Sequence, residues 1–163
     1  MEEDASVISL NDISLIRTDP IRIIWMEKAL QIQSRDDMEI LIRQLEQNDE
    51  ELLAFLGKIG LGISKEHLLE NKIFPYDGIF LILDQEDVCS GKTVLVPKSI
   101  SLRLRFKGSH KEAKVQYQKL LDYIKDNHMR IAGFSREITL IDYGITNDRE
   151  KYITEICIPI EDI

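Results

Sequence analysis

The sequence predicts an α+β fold: two pseudo-symmetric βαββ halves forming a mixed, mainly antiparallel sheet, with helices on one face and a ligand groove on the other. Three observations predict it. Short Ile-rich runs alternate with helical stretches in the order strand, helix, strand, strand, and that order occurs twice. The pentapeptides "GISKE" (Gly62 to Glu66) and "GFSRE" (Gly133 to Glu137) match in the two halves at Gly, Ser and Glu. "FLILDQED" and "EICIPIED" then close the halves in the same way. Matching order over that span reads as an internal repeat, with halves at about 13–87 and 92–162. Residues 1–12 are expected as a leader, and 13–163 as one domain.

Each element has its own reason. "PIRIIWMEKAL" (Pro20 to Leu30) reads as a strand, being rich in Ile with one Trp. Ser34 to Leu56 reads as a helix. Ser34 is a cap, Asp36 and Asp37 sit where the dipole favours anions, and Met38, Leu41, Ile42 and Leu45 form one buried stripe. "GIFLILD" (Gly78 to Asp84) is a continuous apolar run, hence a buried strand. In "SISLRLRF" (Ser99 to Phe106), Ile100, Leu102, Leu104 and Phe106 share one face, and Ser101, Arg103 and Arg105 the other. A helix follows from about Lys111 to Asp126, with Tyr117, Leu120, Leu121 and Ile124 as its apolar stripe. "REITLID" and "KYITEICIPIED" are the last two strands.

Composition narrows the function. The 163 residues suit one domain and carry a formal net charge of −8. Nucleic-acid and anionic-membrane affinity rest on clustered Lys and Arg, so this chain is not expected to bind DNA or membranes directly. The two cysteines, Cys89 and Cys157, are too few for a disulfide framework. His67, His110 and His128 have no ligand-like spacing, so no metal and no cofactor are expected. The N-terminus lacks the basic start and apolar stretch of a signal peptide, so the expected location is the cytoplasm.

Glu137 is the residue that strand logic does not explain. Alternation sets it with Ser135 and Thr139, opposite Ile138 and Leu140. If the isoleucine and leucine pack on the helices, Glu137 faces the groove. A carboxylate in an apolar groove attracts a cation or acts as a general base. On an open sheet face it is a solvated Glu. Pairing with Arg103 or Arg105 would neutralise it and suit a polar or anionic ligand. Trp25, the only tryptophan, shares parity with Ile21 and Ile23; it reads as core, matching Ile100 and Leu102, or as a pocket platform. Ile24 and Met26 would then face the groove. Tyr143 and Tyr76 are candidate rim residues, and Tyr117 reads as core.

Several of these residues carry a resemblance. "KGSHKE", "EITLID", "NDRE" and "YITEICIP", with "YDGIFLILD" in the first half, resemble the GyrI-like domain. This is the effector-binding domain of multidrug-responsive MerR-family and some AraC-family transcription regulators. The resemblance spans roughly residues 13–162 and is stronger in the second half. It implies a bilobed α/β domain whose aromatic pocket surrounds a Glu, here Glu137, with Tyr152 early in the last strand lining it. It implies bulky, often cationic, aromatic ligands. In an intact regulator it also implies a DNA-binding dimer. Some stand-alone relatives are implicated as hydrolases of strained cyclopropane compounds, which would make Glu137 a general base assisted by Tyr152. Arg136 departs from the aromatic residue often found beside the Glu. Residues 1–30 show no basic recognition helix, so the expectation is an effector domain without its DNA-binding part. A protein-interaction module using the groove or a sheet edge is a third reading.

Overall fold

The structure, a computed structural model, describes residues 10–30, 59–83, 93–108, 112–141 and 153–161. Its strands are β1 (Ile13–Thr18), β2 (Ile21–Leu30), β3 (Ile59–Gly62), β4 (Tyr76–Leu83), β5 (Val94–Val96), β6 (Ser99–Lys107), β7 (Arg136–Ile141) and β8 (Ile153–Ile160). Its helices are α1 (Lys65–Leu69) and α2 (Ala113–Asp126). The helix expected at Ser34 to Leu56 lies outside the described residues.

The strands form one sheet in the order β1-β6-β8-β7-β3-β4-β2-β5. Every pairing among the described residues is antiparallel, the main component the sequence predicts. The order contains two like triplets, β6-β8-β7 and β2-β4-β3, which meet where β7 pairs β3. That seam is short: Gly60 faces Ile138 and Leu61 faces Glu137. A backbone bond from Ser135 N–H to the Ile63 carbonyl, 2.9 Å, extends it. The outer strands exchange: β1 precedes β2 but pairs β6, and β5 precedes β6 but pairs β2.

Register fixes which side chains share a face. One row of directly opposed residues crosses seven strands: Met26, Ile79, Leu61, Glu137, Ile156, Leu104 and Ile13. Ile79, Leu61, Ile156 and Leu104 of this row are core residues at 0–1% exposure. α2 packs on this side, burying Ala113, Tyr117, Leu120 and Ile124 at i, i+4, i+7 and i+11. The alternation read from "SISLRLRF" holds, since Leu102, Leu104 and Phe106 are all buried in this core.

Trp25 falls on the other side, which corrects its expected match to the face of Leu102. It is Met26, not Trp25, that stands in the row of Leu104. Trp25 lies opposite Phe80, which lies opposite Gly60. The matching pentapeptides also diverge. Gly62, Ser64 and Glu66 end β3 and open α1, with the Ser64 side chain accepting from His67 N–H as a helix cap. Gly133, Ser135 and Glu137 instead lead into β7.

Gly60 has a steric reason. A Cβ there would lie 2.2 Å from the end of the fully buried Phe80 ring. Gly60→Ala therefore forces the ring aside, and overpacking of this kind costs about 1–3 kcal/mol. Urea unfolding should show a lowered midpoint at unchanged m-value.

Candidate functional site

Glu137 is fully buried, on the side of the sheet that faces α2. This corrects the reading in which Ile138 and Leu140 took the helix side: Ile138 pairs Gly60 and Glu155 on the opposite face and is half-buried. The physical reason is the seam. Glu137 stands across from Leu61 and Ile156, both at 0% exposure, so the register of β7 sets the carboxylate among core side chains.

Two phenols meet it. Tyr76, the first residue of β4, donates its hydroxyl to Glu137 Oε2 at 2.7 Å. It sits beyond a register shift in the β2–β4 pairing, and Phe74 stacks edge-on against its ring at 4.9 Å. Tyr117 comes from α2 and lies within reach of the Glu137 charge. Its hydroxyl lies 2.9 Å from Ser135 Oγ, which accepts the Ile63 N–H at 3.0 Å. Either hydroxyl of the Tyr117–Ser135 pair can donate. The bonds thus link the backbone just past β3, at Ile63, through Ser135 to Tyr117.

Both phenols are held well above the usual tyrosine range, first by burial and then by the Glu137 charge. Each therefore keeps its proton and remains a donor. A carboxylate in an apolar interior is costly unless hydrogen-bonded, and bonds to a charged acceptor contribute about 1.5–3 kcal/mol each.

The arginines do not join this site. Arg105 Nε pairs with Glu155 Oε2 at 2.7 Å, both side chains about one-sixth exposed or less. Arg136 alternates away from Glu137 and lies across from Cys157. The alternative in which Arg103 or Arg105 pairs with Glu137 is not what forms: Arg105 pairs with Glu155. Cys157 is buried, and burial together with the Glu155 charge pushes its thiol up to about 12.

Of the residues singled out in the sequence, Glu137 and Tyr76 come together. Ile24 is partly buried against the same core, and Met26 holds a register position in the Glu137 row. Trp25 is on the opposite face, in a cluster with Phe80 and Phe134 (centroids at 6.3 and 5.1 Å). Tyr143 and Tyr152 lie outside the described residues. Tyr117, read as core, is core and also bonds Ser135 beside Glu137. Ser135 was not singled out; its place two residues before Glu137, on the same strand parity, was the available signal. Among the described residues no cluster of His, Cys, Asp and Glu is arranged to hold a metal ion, and no helix is long and apolar enough to cross a membrane.

A family model described as the GyrI-like small molecule binding domain matches residues 11–161. No curated protein sequence matches the chain. Among solved structures, the C-terminal domain of EcmrR has a TM-score of 0.69 at 18% identity, covering 93% of this chain and 98% of that one. EcmrR in its complex with DNA has a TM-score of 0.70 at 18% identity and 93% coverage, and the present chain spans only 58% of its length. A hydrolase from Listeria innocua has a TM-score of 0.59 at 10% identity, covering 96% and 95%. SAV2435 bound to tetraphenylphosphonium has a TM-score of 0.54 at 16% identity, covering 92% and 94%. At these identities the likeness is one of fold.

The raised phenol and thiol groups predict the alkaline limb of stability. In the unfolded chain the thiol loses its proton near 9 and the phenols near 10, while the folded chain retains them. The folded state then binds more protons, so stability falls as pH rises from about 9 toward 12. Urea midpoints measured across that range should drop, and the drop should be smaller in Cys157→Ala.

Proposed function

Because the chain belongs to the GyrI-like family of small-molecule-binding domains, we propose that it senses a bulky amphipathic molecule, cationic and aromatic, seated at Glu137. In an intact bacterial regulator, ligand binding here would shift an attached DNA-binding dimer between two states. The observation that carries this reading is the fully buried Glu137 carboxylate, hydrogen-bonded by Tyr76 from the first half and with the Tyr117 phenol of the second half in its field. A unit charge pair at 4 Å contributes about 4 kcal/mol at the effective dielectric of a partly wet protein site, and more in drier surroundings. The phenol rings add faces that attract cations. Glu137 is enclosed in this conformation, so a ligand that reaches it must displace core side chains, which favours large apolar molecules. The fold shared with the tetraphenylphosphonium-bound SAV2435 and with the EcmrR effector domain supports the same reading.

A second reading is supported by the 2.7 Å contact between Tyr76 and Glu137. A carboxylate general base beside a phenol acid is competent to hydrolyse a reactive small molecule, with the base within about 3 Å of the attacking water. The Listeria hydrolase shares the fold. In this reading Tyr76 takes the assisting role that the sequence assigned to Tyr152.

A thermal-shift titration with tetraphenylphosphonium separates the outcomes. Saturation to 100 times the dissociation constant adds about 2.7 kcal/mol, visible as a raised midpoint. Glu137→Gln should abolish the shift. An equal shift in the variant overturns the charge-anchor reading, and turnover of a strained electrophile that Glu137→Gln abolishes favours the hydrolase.

A further inference from the structure

The side of the sheet away from Glu137 carries the opposite charge. Arg103, Cys157 and Arg136 are directly opposed on the neighbouring strands β6, β8 and β7. In the adjoining row stand Arg105, Glu155, Ile138, Gly60, Phe80 and Trp25. Arg105 and Glu155 neutralise each other at 2.7 Å. Cys157 keeps its proton, donating Sγ–H toward Glu155 Oε1 at 3.5 Å, and supplies no negative charge. Arg103 and Arg136 both act electrostatically on the Cys157 sulfur, one from each side. Among the described residues, neither makes a hydrogen bond or an ion pair. Arg136 is only 7% exposed, and none of the described residues supplies its guanidinium with a counter-ion, the lack of which is costly for a buried charge.

An aromatic shelf lies on the Arg136 side of this pair. Phe134, two residues before Arg136, lies 5.1 Å from Trp25 and 6.3 Å from Phe80 between ring centroids. Gly62 makes room for the indole, which a Cβ there would meet at 3.0 Å. Trp25 and Phe134 are half-buried. The backbones of Arg103 and Arg136 are two strand spacings apart, roughly 10 Å. Two guanidinium forks at that span converge on one carboxylate or sulfonate.

We propose that this face is a second ligand site, distinct from Glu137, in which Arg103 and Arg136 clamp the anionic group of a planar aromatic acid whose ring rests on Trp25 and Phe134. The site is selective for charge as well as for area. It takes aromatic carboxylates or sulfonates and rejects their neutral counterparts, because an apolar ring alone leaves both guanidiniums without an acceptor.

Isothermal titration with naphthalene-2-sulfonate at physiological salt tests this. The wild type should bind, and the neutral 2-naphthylmethanol should bind at least tenfold more weakly. Arg103→Gln and Arg136→Gln should each weaken sulfonate binding at least tenfold. Lys125→Gln, at the end of α2, removes the same charge elsewhere and should leave binding within twofold. If Arg136→Gln loses its circular dichroism signal, Arg103→Gln alone decides, since Arg103 is half-buried. No heat of binding up to millimolar probe overturns the proposal. So does equal affinity for the neutral probe, or a Lys125→Gln effect as large as that of the arginine variants.

Discussion

One constraint organises this molecule: a fully buried carboxylate of the second half stands at the seam where its two halves join, hydrogen-bonded by a phenol of the first. Glu137 faces Leu61 across the short β3–β7 ladder. Tyr76 bonds it from β4, and Tyr117 of α2 lies in its field. A buried charge carries a desolvation cost of several kcal/mol, so its surroundings cannot be left loose. Ser135 ties Tyr117 to the backbone just past β3, through the amide of Ile63. The seam itself has few ladder bonds, and the polar network around Glu137 supplies specific contacts that a purely apolar junction would lack. The halves are thereby fixed in relation to each other by the same groups proposed to meet a ligand, so that occupancy at Glu137 acts directly on how the halves meet.

Strand alternation then separates two chemistries by the thickness of one sheet. On the α2 side Glu137 is the charged member of a row that otherwise holds Ile79, Leu61, Ile156 and Leu104. On the other side lie Arg103, Arg105, Arg136 and Glu155, beside the rings of Trp25, Phe80 and Phe134. Arg136 and Glu137 are neighbours in sequence yet face opposite ways, so the arginine does not compete for the carboxylate. The departure that the sequence shows at Arg136 belongs to the other face.

The fold was legible where periodicity was strong. "SISLRLRF" alternates, and β6 follows it; the stripe through Tyr117, Leu120 and Ile124 lies in α2. β1, β3 and β5 were not read, because each is short and takes its stability from a neighbour rather than from its own pattern. Glu137 was legible as an anomaly, since a carboxylate in a β-favouring run demands a reason. Its direction was not. Ile138 and Leu140 look like the core pair by hydrophobicity alone, but facing is set by register with β3 and β8, which the sequence of one strand does not contain. Tyr76 was visible only as a candidate rim residue, because its contact with Glu137 spans 61 positions and depends on the whole sheet being assembled.

The central claim is that the Tyr76–Glu137 contact couples the halves, and a double-mutant cycle in urea unfolding tests it most directly. Stability is measured for the wild type, Tyr76→Phe, Glu137→Gln and the pair together. A buried hydrogen bond to a charged acceptor predicts a coupling energy of about 1 kcal/mol or more. Additivity within roughly 0.3–0.5 kcal/mol would mean that the two side chains act independently, and would contradict the account.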